Sequence, residues 1–399
     1  MHSYSRETFV RRWERLQQKL QSKGIGGFLA TQNVDIYYLT GSMQTGFVFV
    51  PADGEPLYFV RRSVVRAKEE SAAEVIPLGS LRTLASQLVD RYPGVFAASS
   101  ILVATEFDVL PVQQYLRLQS AMPNVSWVDG SLLIREIRMI KSAEEIAWIR
   151  EAARVIDVAL QEALSSLREG MEEVELMAVI EQTIRRHGHL GLMRMRGYNQ
   201  ELLTGMVGAG AAAAMPTYFD GPAGGQGLSA AAPQSSGRRA IRRNEPILID
   251  IGCCIEGYVI DQTRTAVLGD LEEELARAYE LSEEVLRLTE KSLRPGSVCE
   301  SLYLDALRFV EAAGLSGHFM GFGADQVKFL GHGIGLEIDE LPVLAKGFTY
   351  ELEPGMVVAV EPKFTFPGRG VVGIENSYFI TEQGFETLTR SREGLIRLP

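Results

Sequence analysis

Near the N-terminus, apolar side chains recur at helical spacing and then give way to strand-like runs. Between residues 6 and 23, large apolar residues lie three or four positions apart with arginines between them, namely Phe9, Trp13, Leu16 and Leu20. This spacing predicts an amphipathic surface helix. Strand-like runs follow at GGFLAT, DIYYLTG and GFVFVPADGEPLYFV, the last with a hairpin signal at Asp53-Gly54. Helical patterns over residues 64–71 and 81–90 and a strand over 101–107 complete a predicted small α/β domain.

The remaining chain has long helical patterns around two hairpin patterns. Ser142 to Glu145 form a capping box that opens a helix running to about residue 168. Further helices are predicted over 174–186, 271–293 and 297–313, the last with a capping box from Ser297 to Glu300. We therefore predict two domains, an α/β domain over residues 1–135 and an α+β domain over residues 136–399.

The stretch ILIDIGCCIEGYVIDQTRT, residues 247–265, reads as a β-hairpin that carries two aspartates. With the tip at Ile255 and Glu256, the residue numbers of two facing positions add up to 511. Asp250 and Asp261 then lie directly opposite each other. Their Cβ atoms would be about 5 Å apart. Two carboxylates this close repel each other unless a cation separates them, so the hairpin predicts one or two divalent metal ions.

A second hairpin pattern, residues 357–381, repeats this arrangement with two glutamates. Glu361 and Glu375 lie symmetrically about Gly368 in the predicted turn. Between the two hairpins, His332 is flanked by glycines, which let the backbone approach a site closely. Each residue alone is more often a turn, edge or loop residue than a ligand, but the combined set is hard to obtain by chance. Four carboxylates and one imidazole suit two bridged divalent ions about 3.5 to 4 Å apart.

Composition restricts the functional classes. Hydrophobic residues make up 46% of the chain and charged residues 23%, as in a soluble globular enzyme. A formal charge of -11 argues against nucleic acid or an anionic membrane surface as the partner. The three cysteines cannot form a disulfide framework, and we find neither a signal-peptide pattern nor a membrane-spanning run, so we expect a cytoplasmic protein.

Residues 204–237 are rich in Gly, Ala, Pro and Ser and leave two interpretations open. Such a composition is typical of a low-complexity linker, because it cannot build a core. It also suits a glycine-rich loop that borders an active cleft. Tyr218, Phe219 and Asp220 favour the loop, since a pure linker does not need them.

Four motifs together resemble the pita-bread metallopeptidase family of aminopeptidase P, prolidase, methionine aminopeptidase and creatinase. They are D-x-G-x-x-x-x-G-Y-x-x-D-x-T-R-T from Asp250, G-H-G-I-G-L from Gly331, V-E-P from Val360 and G-I-E-N from Gly373. Residues 6–41 are similar to a creatinase-type N-terminal domain. The resemblance implies an α/β creatinase-like domain followed by an α+β pita-bread domain. It also implies five metal ligands, Asp250, Asp261, His332, Glu361 and Glu375.

The resemblance implies a metal-dependent exopeptidase, either aminopeptidase P-like or a dipeptidase, that hydrolyses a peptide bond near a free N-terminus. In the family mechanism a metal-bridging hydroxide is the nucleophile, and the residue matching Glu361 shuttles its proton. The expected cofactors are two divalent ions, and the ligand set accepts Mn, Co, Zn or Fe. A small peptide is the expected substrate, and a homodimer is the expected assembly.

The chain departs from the family pattern around the metal ligands. Asp339 stands where prolidases and aminopeptidases P usually have a second histidine, residues 204–237 contain no histidine, and Gly373 stands where many relatives have arginine. An ionised Asp339 cannot donate a hydrogen bond to an oxyanion, but it can bind a cationic group of a substrate. His318, in a glycine-rich turn, is a further catalytic candidate. Two alternatives stay open: a hydrolase or lyase acting on a small non-peptide metabolite, and a non-catalytic binding protein.

Overall fold

A computed structural model describes residues 4–96 and 100–399. The chain divides into two compact units, Met1–Arg138 with Arg196–Asn199, and Met139–Met195 with Gln200–Pro399. The domain boundary predicted between residues 135 and 136 falls inside the helix Ser131–Met139 and stays a prediction.

The first unit is built on a six-stranded mixed sheet. Its helices are α1 (Arg6–Ser22), α2 (Asn33–Thr40), α3 (Val64–Glu70), α4 (Leu81–Arg91), α5 (Pro93–Phe96), α6 (Val112–Ala121) and α7 (Ser131–Met139). Its strands are β1 (Gly27–Ala30), β2 (Gly46–Pro51), β3 (Leu57–Val60), β4 (Glu74–Pro77), β5 (Ile101–Thr105) and β6 (Val125–Asp129). The strands lie in the order β4-β3-β2-β1-β5-β6. The predicted α/β character of this unit is confirmed, including the β2–β3 hairpin.

The strand predicted at DIYYLTG is wrong, because these residues belong to helix α2. Gln32 caps the helix by accepting a hydrogen bond from the Asp35 backbone N–H through its side chain. The helix buries residues on most of its circumference, among them Ile36, Tyr38 and Leu39. A helix that is buried on most sides shows no clear 3.6-residue pattern, and its aromatic and β-branched residues resemble those of a strand.

The second unit combines long helices with three sheets. Its helices are α8 (Ala143–Ser166), α9 (Glu173–Arg186), α10 (Glu273–Glu290) and α11 (Cys299–Ala312). Its strands are β7 (Gly205–Ala209), β8 (Ile247–Ile255), β9 (Tyr258–Leu268), β10 (Phe329–Gly333), β11 (Glu340–Ala345), β12 (Val357–Val360), β13 (Lys363–Phe366), β14 (Gly370–Gly373), β15 (Asn376–Thr381), β16 (Gly384–Thr387) and β17 (Ile396–Leu398). They form the sheets β11-β10-β12-β15-β16, β13-β14 and β17-β9-β8-β7.

Helix α8 begins at the predicted capping box, which also ties the helix to the first hairpin. The Ser142 hydroxyl accepts from the Glu145 N–H, and Glu145 Oε2 accepts from the Ser142 N–H. The other carboxylate oxygen of Glu145 accepts a hydrogen bond from the Tyr258 hydroxyl at the start of β9. The capping box predicted at Ser297 is wrong, because α11 has Val298 as its N-cap and no side-chain cap.

Residues 204–237 are not a simple linker. Strand β7 pairs antiparallel with β8, with Met206 opposite Asp250. The hydroxyl of Ser235 donates to the Gly205 carbonyl, and the hydroxyl of Ser236 accepts from the Val207 N–H. The segment is therefore bonded to the sheet that carries the first pair of aspartates. In the described part of the chain, no helix has the length and apolar character to cross a bilayer.

Candidate metal centre

The first hairpin forms as predicted, but the predicted register is wrong by two residues. Asp250 lies opposite Thr263, and Asp261 lies opposite Gly252, so facing positions sum to 513. The tip is Glu256-Gly257, and both residues have positive φ, 50° and 93°. A two-residue turn with positive φ at both positions matches the twist of the strands. The even shift keeps both aspartates on one face, as diagonal neighbours.

The second hairpin has the predicted register. Lys363 pairs with Gly373, and Val360 pairs with Asn376, and both pairs sum to 736. Glu361 and Glu375 lie between these two paired segments. The Glu361 N–H donates to Leu330, and the Glu375 N–H donates to Thr263 of the first hairpin, so Glu375 is joined to β9.

His332 lies in β10, and its flanking glycines are required by strand packing. A Cβ at Gly331 would lie 2.0 Å from the Ala359 carbonyl oxygen, and one at Gly333 would lie 2.3 Å from the Leu341 oxygen. The glycines thus let β12 and the Leu341 backbone close on either side of His332. The imidazole is 6% exposed, and its Nε2 lies 3.6 Å from Glu361 Oε1.

Three of the predicted ligands form a cluster that fits one divalent ion. One ligand atom from each of Asp261, His332 and Glu375 lies within 4.8 Å of the others. Glu375 Oε1 is buried and has no hydrogen-bond partner among the described residues. A buried carboxylate oxygen without a donor is costly, and coordination to a cation would satisfy it. The mixture of carboxylate oxygens and one imidazole suits a first-row divalent ion.

Two residues of the T-R-T motif hold Glu375 in place. The Thr263 hydroxyl donates to Glu375 Oε2 over 2.8 Å. The Arg264 guanidinium is fully buried and donates to the backbone oxygens of Glu375 and Thr263 and to the side chain of Asn376. Burial lowers the pKa of Arg264 to about 10. This support was not predicted from the residue pattern.

Lys363 also lies in the site, and sequence reasoning missed it. Its ammonium lies 2.6 Å from Glu361 Oε2, 3.1 Å from Glu375 Oε2 and 3.3 Å from Asp250 Oδ2. The side chain is 2% exposed. The signal was a lysine two residues after Glu361, which period-two alternation places on the same face of the chain.

Gly373 makes room for this lysine. It pairs with Lys363 across the β13–β14 ladder, and a Cβ at position 373 would lie 2.6 Å from the Lys363 Cγ. The glycine leaves space at this position, and the methylene chain of Lys363 occupies it.

The site is short of positive charge without a metal ion. Burial raises the pKa of Asp261 well above its ordinary range, and the Glu375 and Asp250 carboxylates add to the shift. Burial also raises the pKa of Glu361 to about 7, although the Lys363 ammonium opposes this. Burial lowers the pKa of Lys363, but the surrounding carboxylates outweigh it and leave that pKa well above its usual value. Further cationic charge would stabilise the ionised carboxylates.

Asp339 faces His332, the histidine predicted as a metal ligand. Its Oδ1 lies 3.3 Å from His332 Nδ1, and the Gly333 carbonyl lies 3.2 Å from the same nitrogen. With the proton on Nδ1, both oxygens accept from it, and Nε2 keeps a free lone pair for a cation. Burial lowers the pKa of His332, but Asp339 and the two nearby glutamates outweigh it and leave the pKa raised.

Among the described residues, His318 is not part of the cluster of Asp261, His332 and Glu375. Its Nδ1 is 2.8 Å from the Thr365 carbonyl oxygen, and its ring stacks on Phe366 with a centroid distance of 4.3 Å. Its catalytic role stays a prediction that these contacts do not support.

A cavity of about 120 Å³ opens onto the cluster. Its floor includes the carboxylates of Asp250, Asp261 and Glu361 together with His332 and Lys363. The segment 219–224 forms part of the wall, as the loop interpretation of residues 204–237 predicted. Apolar side chains complete the wall, namely Met193, Leu202, Leu203, Met206, Phe219, Phe329 and Ile338. Four of the five residues predicted as metal ligands thus line one cavity, and the fifth, Glu375, forms a cluster with Asp261 and His332. Their role as ligands stays a prediction.

Known proteins share both the sequence pattern and the fold. The model of metallopeptidase family M24 matches residues 147–382, and the creatinase/prolidase N-terminal domain matches residues 12–140. A Xaa-Pro dipeptidase of Pyrococcus furiosus is 26% identical over 388 residues, covering 96% of this chain and 99% of its own. An uncharacterised peptidase of Staphylococcus epidermidis is 28% identical and covers 94% of this chain and 97% of its own.

Solved structures agree with this. A Xaa-Pro dipeptidase from Bacillus anthracis superposes with a TM-score of 0.82 at 25% identity, covering 98% of this chain and 100% of that one. A prolidase from Pyrococcus horikoshii has a TM-score of 0.80 at 24% identity, covering 97% and 100%. The expected creatinase-like and pita-bread folds are confirmed. The protein therefore belongs to metallopeptidase family M24 and carries a creatinase/prolidase N-terminal domain.

Proposed function

We propose that the protein is a metal-dependent exopeptidase, aminopeptidase P-like or a dipeptidase, that hydrolyses a peptide bond near a free N-terminus. The observation that carries this proposal is the cluster of Asp261, His332 and Glu375, of which Asp261 and His332 line a cavity. Glu375 Oε1 is buried and has no donor among the residues that the structure describes. When bound, a divalent ion would lower the pKa of water and polarise the scissile carbonyl.

The residues around the ion have distinct tasks. Asp339 and the Gly333 carbonyl orient His332 through Nδ1. Glu361 lines the cavity and lies beside His332, where it can accept a proton from water and pass it to the leaving amine. Lys363 holds the Oε2 atoms of Glu361 and Glu375, which fixes the orientation of both carboxylates.

The cavity suits the apolar end of a peptide, because most of the side chains that line its wall are apolar. Asp339 lines it and is 37% exposed, so it can also attract the ammonium of a substrate N-terminus. The Xaa-Pro dipeptidases among the relatives make Xaa-Pro peptides the first substrates to test.

The test is a peptidase assay after chelation and re-addition of Mn, Co, Zn or Fe. We expect metal-stimulated release of amino acids from dipeptides or from peptide N-termini, and loss of activity in His332→Ala. Lys346→Met changes an exposed lysine and is the control. If no metal restores cleavage of any Xaa-Pro or non-proline peptide, the exopeptidase proposal fails.

A second function is favoured by the histidine content of the cavity. Among the described residues that line it, His332 is the one histidine, so a peptide oxyanion has no imidazole donor besides a metal-bound one. A hydrolase or lyase acting on a small non-peptide metabolite fits this arrangement. Efficient turnover of peptides together with blank metabolite screens would remove this alternative.

We also propose a cytoplasmic homodimer. Three buried free cysteines suit a reducing compartment, and twofold assemblies are the commonest oligomers. Sedimentation of the purified protein tests the assembly.

A further inference from the structure

We propose that the Lys363 ammonium takes the place of one of the two divalent ions, so that the centre binds a single ion through Asp261, His332, Glu361 and Glu375. In this arrangement Asp250 is the partner of the lysine instead of a metal ligand. The inference deepens the proposed function, and it rests on that function only for the presence of an ion.

The first support is the geometry of the ammonium. Its nitrogen has three donors, and oxygens of three carboxylates, Glu361, Glu375 and Asp250, lie within 3.3 Å of it. An ion bound to the same three oxygens would lie about 2.0 to 2.2 Å from each of them. It would need the space between them that the ammonium fills, and two positive charges so close repel strongly.

The second support is the division of the carboxylate oxygens. Lys363 engages Oε2 of both glutamates. Of the other two oxygens, Glu361 Oε1 is 3.6 Å from His332 Nε2, and Glu375 Oε1 is buried and has no hydrogen-bond partner among the described residues. The cluster of potential ligands found among the described residues contains Asp261, His332 and Glu375 but neither Asp250 nor Glu361. Glu361 is assigned to the ion through its Oε1, which lies beside His332, whereas the carboxylate of Asp250 lies beside Lys363. The lysine therefore occupies one side of the site, and oxygens of Glu361 and Glu375 that it does not engage are left for a cation.

The third support is that the hairpin is built to admit the lysine. Lys363 is fully buried in β13, and its stem passes over Gly373 in the paired strand β14. Any side chain at position 373 would meet that stem. The ammonium is thus held by the strand ladder as well as by its charge partners.

Metal stoichiometry tests the inference directly. Chelated protein is titrated with Mn²⁺, and bound metal per chain is measured by mass spectrometry after gel filtration and by calorimetry. We expect one ion per chain in the natural protein and in the control Lys346→Met. Asp250→Asn should retain its ion, whereas His332→Ala should lose it.

A second pair of variants checks the exchange of lysine for metal. Lys363→Met should bind two ions, and adding Asp250→Asn to it should return the number to one. Electron paramagnetic resonance should show an isolated Mn²⁺ signal in the natural protein and an exchange-coupled signal in Lys363→Met. If Lys363→Met does not fold, the inference is tested by whether Asp250→Asn retains its ion.

Two ions, or none, in the natural protein would overturn the inference, as would loss of the ion in Asp250→Asn. The outcome is independent of the peptidase assay. One bound ion without peptide cleavage refutes the exopeptidase and supports the single-ion centre. Peptide cleavage with two bound ions supports the exopeptidase and refutes the single-ion centre.

Discussion

The buried carboxyl of Glu106 should make the stability of the first unit depend on pH. Glu106 follows β5 and is fully buried. It accepts hydrogen bonds from the Thr31 backbone and hydroxyl and from the Gln32 N–H. Burial raises its pKa to about 7, the negative charge of Asp35 adds to the shift, and the Thr31 N–H opposes it.

The magnitude follows from the difference between the folded and unfolded states. An ordinary value of 4.5 and a folded value of about 7 differ by roughly 2.5 units, equivalent to about 3 kcal/mol. Because the folded state binds this proton more tightly, the stabilisation is complete below pH 4.5 and is lost as the pH rises through about 7. Glu106→Gln has no proton to lose at this position. Its unfolding free energy, relative to that of the natural protein, should therefore rise by about 3 kcal/mol over this range.

The assay is urea unfolding at a series of pH values in the presence of chelator. A Trp148→Phe background leaves Trp13 and Trp127, both in the first unit, as fluorescence reporters. Glu14→Gln, at an exposed position, is the control and should show no such change. If the stability difference is flat, or if the natural protein gains stability relative to Glu106→Gln as the pH rises, the hydrogen-bond donors outweigh burial and the reasoning is refuted.

Three other substitutions test the support of the metal centre and of α8. Arg264→Met leaves several buried oxygens without donors and should cost about 3 kcal/mol or more; an unchanged melting temperature and metal affinity would contradict this. Gly331→Ala should lower metal occupancy because its Cβ meets the β12 backbone, whereas Gly317→Ala, which has open space, should not; equal occupancy in both would count against the packing argument. Glu145→Ala removes the capping box and the partner of the Tyr258 hydroxyl, and should lower the free energy of unfolding in urea by about 2 kcal/mol. A much smaller loss would mean that the cap is as weak as a fully exposed one.

Local patterns in the sequence were enough to predict most elements and the two acidic hairpins. The capping box at Ser142 and the β2–β3 turn are short-range signals, and both are confirmed. The register about Gly368 could be read from the chain because paired positions in a hairpin have a constant sum. The motifs were specific enough to indicate the family, and the family match confirms it.

Other features depended on three-dimensional packing and could not be read in this way. The residues of α2 resemble those of a strand because most of the helix surface is buried. The first hairpin was placed two residues out of register because the backbone conformation of Glu256, with positive φ, is not evident from its residue type.

The amino-acid sequence by itself determined that four carboxylates and one histidine are available for a metal centre, because residue types and hairpin symmetry are local properties. Only the tertiary structure decided which of these carboxylate oxygens contact Lys363 and which are left for a metal ion. Lys363 belongs to the second hairpin and Asp250 to the first, so their contact depends on the packing of β13 against β8 and on the space above Gly373. Charge balance in a buried site is set by every group within a few ångströms, and those neighbours come from distant parts of the chain.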